Sequence, residues 1–294
     1  MTLLEFIQTQ AQRLENAGVS FGHGTLSAFD EACWLALWRL GLALDDLNSV
    51  QSQDLSAEQE HLIHNIITQR IQTREPAAYL TGEAWLQGVP FFVDKRCIIP
   101  RSLIAEPLAE GTFDAWLSAS TRNVLDLCTG NGSLAVLAAL AWPDVQVDAA
   151  DISADALDVA KRNIQRHNLA HRIQLFQGDG LGAVTSKTYD LILCNPPYVN
   201  AQAMAELPPE YQAEPELALA GGADGMNFIR PLLEQATSYL NPQGILVLEI
   251  GHEMPYFLAA FPQLEFIGLP TSAGNEQVVL ITREALANLK AIKE

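Results

Sequence analysis

The sequence has little positive charge. It contains 17 Lys and Arg against 35 Asp and Glu, a formal net charge of −18 over 294 residues. A protein that binds a nucleic acid duplex needs a positive surface to displace counterions, and no stretch here supplies a Lys/Arg cluster. We therefore expect no direct binding to DNA. Such acidity suits a basic protein partner, although acidity alone more often reflects only the solubility of a cytosolic protein.

Long hydrophobic runs and paired cysteines are also missing. No apolar run reaches the roughly 18 residues of a membrane span, and the first residues carry no basic segment of the secretory kind. The four cysteines lie far apart, with no CxxC pair and no histidine at zinc-ligand spacing. We expect a cytoplasmic protein with reduced thiols, no disulfide and no metal. The 49% of hydrophobic residues can fill two cores, and the sequence leaves the oligomeric state open.

The first 75 residues predict a small helical domain. Apolar residues recur at helical spacing over residues 2–17, again after Ser27, and again after Ser56, where Gln59 completes a candidate capping box. The loop Phe21–Thr25 between the first two helices is punctuated by glycines. Its histidine, His23, more often ties down its own loop in such a setting than it contacts a substrate. By position, we expect this domain to recognise the substrate.

Residues 76–100 predict a linker that contains a β-hairpin. Residues 83–86 and 90–93 have strand character and flank Gly88. Residues 101–294 then form the second domain, which we expect to begin with a helix from Ser102 to about Leu117.

From residue 123 onward, strand patterns alternate with helix patterns. This alternation predicts an α/β fold with a doubly wound, mostly parallel sheet. The expected strands cover residues 124–127, 145–150, 173–176, 191–194 and 245–250, and residues 266–267 and 278–281 predict an edge hairpin.

The sequence around Asn195 organises this second domain. The run Leu191–Cys194 predicts a buried strand, which Pro196 and Pro197 end because proline has no N–H to continue the ladder. Asn195 therefore lies at the carboxyl end of a central strand, where open α/β sheets bind ligands. The side-chain oxygen of Asn195 and the carbonyl of Pro196 can together accept both hydrogens of a substrate NH₂ group, and Tyr198 can cover a flat or cationic partner.

A glycine-rich loop, Cys128–Ser133, follows the first strand of this domain. Gly130 and Gly132 allow the backbone to approach a ligand closely at a helix N-terminus. Asp151 ends the second strand about 20 residues later, where it can take ribose hydroxyls. With Ala135 the loop also fits a dinucleotide fingerprint, so a dinucleotide dehydrogenase is a rival interpretation.

Two further acids argue against the dehydrogenase. Asp126 precedes the glycine loop, where a carboxylate would repel a pyrophosphate but could hold a cationic amino acid group. Asp179 ends the third strand and suits an adenine amino group. A ligand that combines an amino acid, a ribose and adenine is S-adenosylmethionine.

With Asn195–Tyr198 following Asp126–Gly132, the sequence resembles the class I methyltransferases, with their Rossmann-like sheet. Within them it resembles the family that methylates the side-chain amide of glutamine in translation proteins. The segments that resemble the branch acting on the third protein of the large ribosomal subunit are Phe21–Thr25, Ala78–Leu80, Ile99–Ser102, Asp126–Gly130 and Glu214–Leu217. The sister branch, which acts on peptide release factors, usually has an aspartate where Ala220 stands.

This resemblance implies S-adenosylmethionine as the cofactor and a basic ribosomal protein as the substrate. It implies catalytic roles for Asn195, Pro196 and Tyr198, and substrate contacts for these residues with Pro197 and Arg101. It implies cofactor contacts for Asp126, Cys128, Thr129, Gly130, Gly132, Asp151, Ile152, Asp179, Gly180 and Asn195. Three alternatives remain: methylation of release factors, methylation of DNA adenine, which would need a basic groove, and a non-catalytic role in ribosome assembly.

Overall fold

A computed structural model describes residues 1–293. The chain begins with four helices: α1 (Leu3–Asn16), α2 (Ala28–Leu40), α3 (Leu47–Val50) and α4 (Ala57–Thr73). Thr2 with Glu5 and Ser56 with Gln59 form capping boxes that satisfy the free amides at the starts of α1 and α4. The apolar faces of α1, α2 and α4 enclose a core of their own.

A short helix and a hairpin follow. They are α5 (Ala77–Thr81), β1 (Glu83–Leu86) and β2 (Val89–Phe92), and β1 pairs antiparallel with β2 as the sequence predicts. The hairpin is bound to the rest of the protein through Asn163, whose side-chain amide accepts a hydrogen bond from the Phe92 amide at 2.7 Å and donates one to the Phe92 carbonyl at 2.9 Å.

The remaining strands form one seven-stranded sheet with the order β5-β4-β3-β6-β7-β9-β8. The pairs from β5 to β7 are parallel, and β9 lies antiparallel to both β7 and β8. The predicted doubly wound, mostly parallel sheet is confirmed. Its strands are β3 (Asn123–Leu127), β4 (Gln146–Asp151), β5 (Ile173–Gln177), β6 (Tyr189–Cys194), β7 (Leu240–Glu249), β8 (Ile267–Gly268) and β9 (Val278–Thr282).

Helices cover both faces of this sheet. Successive residues of β6 alternate between two buried clusters, since Leu191 and Leu193 belong to one and Ile192 and Cys194 to the other. The helices are α6 (Ala105–Ala109), α7 (Ser133–Ala141), α8 (Ala154–Arg166), α9 (Ala201–Glu206), α10 (Pro209–Gln212), α11 (Ile229–Ala236), α12 (Met254–Ala260) and α13 (Arg283–Lys293). Among the described helices, none has the length and apolar character needed to cross a membrane.

The helix predicted from Ser102 to about Leu117 is wrong. The structure has only the short α6 and a 3₁₀ turn over Asp114–Trp116. Gly111 adopts a φ of +68° between the two. This left-handed conformation ends a helix, and glycine adopts it without the steric cost that other residues bear.

Candidate active site

A cleft of about 1080 Å³, open to solvent, lies at the carboxyl edge of the parallel strands. Its walls come from residues 96–102, the glycine loop except Gly132, the ends of β4, β5 and β6, and Pro215, Leu217 and Ala218. This is the edge where an open α/β sheet binds its ligands, because loops leaving neighbouring strands part there.

The backbone of the glycine loop turns sharply, as its glycines predict. Cys128, Gly130 and Gly132 have φ values of +61°, +54° and +81°. Asp126 lies beneath the loop, where its carboxylate accepts hydrogen bonds from Thr129 Oγ1 at 2.5 Å and the Ala135 amide at 2.9 Å. Burial raises the pKa of Asp126 to about 7. Asp126 shapes the loop from below, outside the wall of the cleft, so the contact with a cofactor amino group stays a prediction.

The ends of β4 and β5 place two acids and an apolar side chain at the cleft. Asp151 accepts hydrogen bonds from the Gly130 and Ser153 amides, each at 2.9 Å, and burial raises its pKa. Ile152, beside it, is 48% exposed although apolar. Asp179 is exposed, with Gly180 next to it at a φ of +52°. All four residues line the cleft, and their contact with a cofactor stays a prediction.

Residues 195–198 leave β6 between two concave surfaces. Asn195 and Pro197 line the cleft, whereas Pro196 is buried. No described residue forms a hydrogen bond with the Asn195 side chain or the Pro196 carbonyl. Both oxygen acceptors therefore remain available to a ligand.

Tyr198 faces the second concave surface, a groove of about 1050 Å³. Val19, Ser20 and Phe21 line one side of this groove, and Pro208 and Tyr211 line it further along. The Tyr198 hydroxyl donates a hydrogen bond to Glu249 Oε1 at 3.0 Å. Burial, with the Glu249 charge, raises the pKa of Tyr198 well above its usual value, so its hydroxyl stays protonated at neutral pH. The Tyr198 hydroxyl is thus bound within the protein, and a contact of the Tyr198 ring with a substrate amide stays a prediction.

Arg101 lines the cleft, but its guanidinium is bound within the protein. Its two terminal nitrogens donate hydrogen bonds to the two carboxylate oxygens of Glu214, each at 2.6 Å. The predicted contact of Arg101 with a substrate stays a prediction for that reason.

The prediction that His23 ties down its own loop is wrong. His23 is buried, and neither ring nitrogen forms a geometrically good hydrogen bond with a described residue. Its Nε2 lies 3.4 Å from Glu214 Oε2, on the other side of the junction between the helical region and the sheet.

Comparison with known proteins decides the family. A family model described as methyltransferase small domain matches residues 111–207. A ribosomal protein uL3 glutamine methyltransferase from Bordetella pertussis is 48% identical over 287 residues, which are 97% of this chain and 96% of that protein. The protein of the same name from Neisseria gonorrhoeae is 45% identical over 288 residues, 97% of this chain and 95% of its own length. The chain belongs to the uL3 glutamine methyltransferase family.

A solved methyltransferase structure from Pyrococcus furiosus is also similar, at 19% identity and a TM-score of 0.48, covering 78% of this chain and 98% of that one. The identity of 45 to 48% with the uL3 glutamine methyltransferases confirms the resemblance noted in the sequence.

This family member also has a site residue that the sequence analysis missed, Glu249. It lies at the end of β7 and accepts hydrogen bonds from Ser102 Oγ at 2.6 Å, the Leu103 amide at 3.0 Å and the Tyr198 hydroxyl. Burial raises its pKa. The available signal was an acidic residue ending the apolar run Ile245–Leu248, where a buried carboxylate needs several donors.

Proposed function

We propose that this protein transfers a methyl group from S-adenosylmethionine to the side-chain amide nitrogen of a glutamine in ribosomal protein uL3. The observation that carries the proposal is the pair of unpartnered acceptors at the end of β6, the Asn195 side-chain oxygen and the Pro196 carbonyl, beside the cleft. The identity of 45 to 48% with uL3 glutamine methyltransferases over 97% of the chain supports the choice of substrate.

The residues along the cleft fit the methyl donor. The glycine loop exposes backbone where a bulky side chain would stand, Asp151 presents a carboxylate for ribose hydroxyls, and Asp179 an exposed one for an adenine amino group. Ile152 and Phe228 supply apolar surface for a flat base. The donor, when bound, supplies an activated methyl group on a sulfonium.

Orientation is the main task of the protein, because a carboxamide nitrogen is a poor nucleophile with a delocalised lone pair. Asn195 and Pro196 accept the two N–H groups of the glutamine and hold its nitrogen in one direction. The same two oxygens stabilise positive charge that develops on the nitrogen as it is methylated. No catalytic base is required in this scheme, since the methylated nitrogen becomes acidic and loses its proton to water.

The helical region, residues 1–75, is the surface we assign to recognition of uL3. Its loop residues Val19, Ser20 and Phe21 line the same groove as Tyr198, so a protein bound there contacts Tyr198, three residues after Asn195. The net charge of −18 favours a basic ribosomal protein as the partner and disfavours duplex DNA.

The test offers labelled S-adenosylmethionine with purified uL3, a peptide release factor or duplex DNA. We expect label in uL3 alone, and mass spectrometry should place it on a glutamine. Asn195→Ala should lower the transfer rate by about 10²-fold or more, with binding of S-adenosylhomocysteine retained within a few fold.

The matched control is Asn123→Ala, since Asn123 is exposed at the amino end of β3, away from the cleft. Label in release factor or DNA instead of uL3 would overturn the substrate. Unchanged turnover in Asn195→Ala would overturn the mechanism.

A further inference from the structure

Three segments far apart in the sequence meet at the carboxylate of Glu214. Arg101 donates two hydrogen bonds to it, the Ile99 amide donates a third at 2.9 Å, and His23 approaches it at 3.4 Å. His23 belongs to the loop Phe21–Thr25 of the helical region, whereas Ile99 and Arg101 line the cleft. One carboxylate thus joins the helical region to the donor cleft.

The cluster is buried and charged. The side chain of Glu214 is 0% exposed, that of His23 2% and that of Arg101 24%. Burial acts to raise the pKa of Glu214, but the charge and hydrogen bonds of Arg101, with the nearby His23, outweigh it and lower that pKa to about 2. Glu214 is therefore an anion at neutral pH, and its donors hold it in one position.

Glu214 also joins two segments that line the cleft. It holds residues 98–102, whose Ile98 packs against the glycine loop so closely that a Cβ on Gly130 would lie 3.3 Å from Ile98 Cγ2. Pro215, Leu217 and Ala218, which follow Glu214 in the chain, also line the cleft. Moving Glu214 would therefore move both segments.

Tyr211 extends this junction toward the helical region. Its ring centroid lies 4.2 Å from that of His23 and 5.4 Å from the Arg101 guanidinium carbon. A Cβ on Gly22 would lie 2.6 Å from the Tyr211 hydroxyl, and Gly22 has a φ of +116°. The loop Phe21–Thr25 therefore needs glycine at this position to fit against Tyr211.

Glu210, four residues before Glu214, is a natural comparison. It is also buried and binds the helical region, through Arg70 at 3.1 Å and Arg74 at 3.3 Å. Among the described residues, no hydrogen bond joins Glu210 to residues 98–102. Glu210 and Glu214 both anchor the same chain segment, but of the two only Glu214 binds residues that line the cleft, Ile99 and Arg101.

We propose that Glu214 is a positioning residue for methyl transfer. It fixes the relative position of the two lining segments, 98–102 and 215–218, and makes that position depend on His23 of the helical region, which does not line the cleft. The inference rests on the proposed function for the identity of the donor.

The experiment compares Glu214→Gln with Glu210→Gln at a temperature where circular dichroism shows both variants folded. Calorimetry measures the dissociation constant of S-adenosylhomocysteine, and kinetics with saturating uL3 separate kcat from the KM for the donor. Glu214→Gln places an amide NH₂ against N–H donors, so we expect donor-site affinity to fall about tenfold or more, with a higher KM and a lower kcat. Glu210→Gln should leave the dissociation constant within about twofold of wild type.

Two more variants test whether the charge of Glu214 and the presence of His23 affect donor binding. Glu214→Asp keeps the charge and should recover part of the lost affinity. His23→Gln should weaken binding of S-adenosylhomocysteine several-fold. Equal dissociation constants for Glu214→Gln and Glu210→Gln, or wild-type affinity in His23→Gln, would overturn the proposal.

The outcome for the wild type separates this proposal from the proposed function. Wild-type protein that binds S-adenosylhomocysteine but methylates no uL3 contradicts the substrate and leaves the comparison of variants decisive. Wild-type protein that binds none overturns the donor and this inference together.

Discussion

Replacing Arg70 by methionine should destabilise the protein strongly. The Arg70 side chain is 0% exposed. Its nitrogens donate to Glu31 Oε1 at 2.7 Å, Glu210 Oε1 at 3.1 Å and the Ser20 carbonyl at 2.8 Å. Without Arg70, Glu31 loses its charged partner and Glu210 keeps only Arg74. Breaking a buried ion pair by removing one partner costs about 3–5 kcal/mol. For a protein of this size the midpoint of thermal unfolding should fall by on the order of 10 °C.

The loss of unfolding free energy in Arg70→Met should also grow as the pH rises. Burial already raises the pKa of Glu31, and the Arg70 charge opposes that rise. Without Arg70 the pKa of Glu31 in the folded state rises further. Between the unfolded and folded pKa values the unfolded chain gives up its proton first, so the stability of the variant falls as pH increases through that window.

Urea unfolding followed by circular dichroism, at about pH 5 and about pH 8, measures both effects. The control is Arg230→Met, because Arg230 pairs with Asp224 while its side chain is 44% exposed, and such pairs contribute about 1 kcal/mol or less. A loss below about 1 kcal/mol in Arg70→Met at the higher pH, or one that does not grow with pH, would refute the reasoning.

Two other substitutions have separable effects. Asp151→Ala removes the acceptor of the Gly130 and Ser153 amides. The loss of these charge-assisted hydrogen bonds should weaken binding of S-adenosylhomocysteine, measured by calorimetry, by about tenfold to a hundredfold. Unchanged affinity would count against the assigned donor site. Gly251→Ala puts a Cβ into the Tyr198 ring, 2.8 Å from Cζ. It should reduce methyl transfer while donor binding stays within a few fold. Gly88→Ala is its control, since Gly88 has a similar positive φ with nothing within 4 Å, and equal losses in both would contradict a specific role for the Tyr198 position.

Local patterns sufficed to predict most of the fold. The strands β3 to β7 each end at an aspartate or are followed within three residues by a glycine or proline, so strand type and strand ends follow from nearby residues. The same holds for the Ser56 and Gln59 capping box and for the hairpin around Gly88. The exception, residues 102–117, follows an equally local rule, because Gly111 ends the helix there.

In the candidate site, too, residues at strand ends were predictable from local sequence and contacts between distant segments were not. Asp151, Asp179 and Asn195 lie at strand ends, and parallel pairing brings those ends to one edge of the sheet. The contacts of Glu249 with Tyr198 and of Glu214 with His23 join residues far apart in the sequence. No periodicity links such residues, so their pairing appears only once the helical region and the sheet are packed together.

The most direct measurement is a crystal structure of the protein with S-adenosylhomocysteine and a uL3 peptide that contains the modified glutamine. We expect the glutamine side-chain nitrogen to lie about 3 Å from both the Asn195 side-chain oxygen and the Pro196 carbonyl oxygen, facing the donor sulfur. A glutamine nitrogen held by other groups, or directed away from the sulfur, would contradict it.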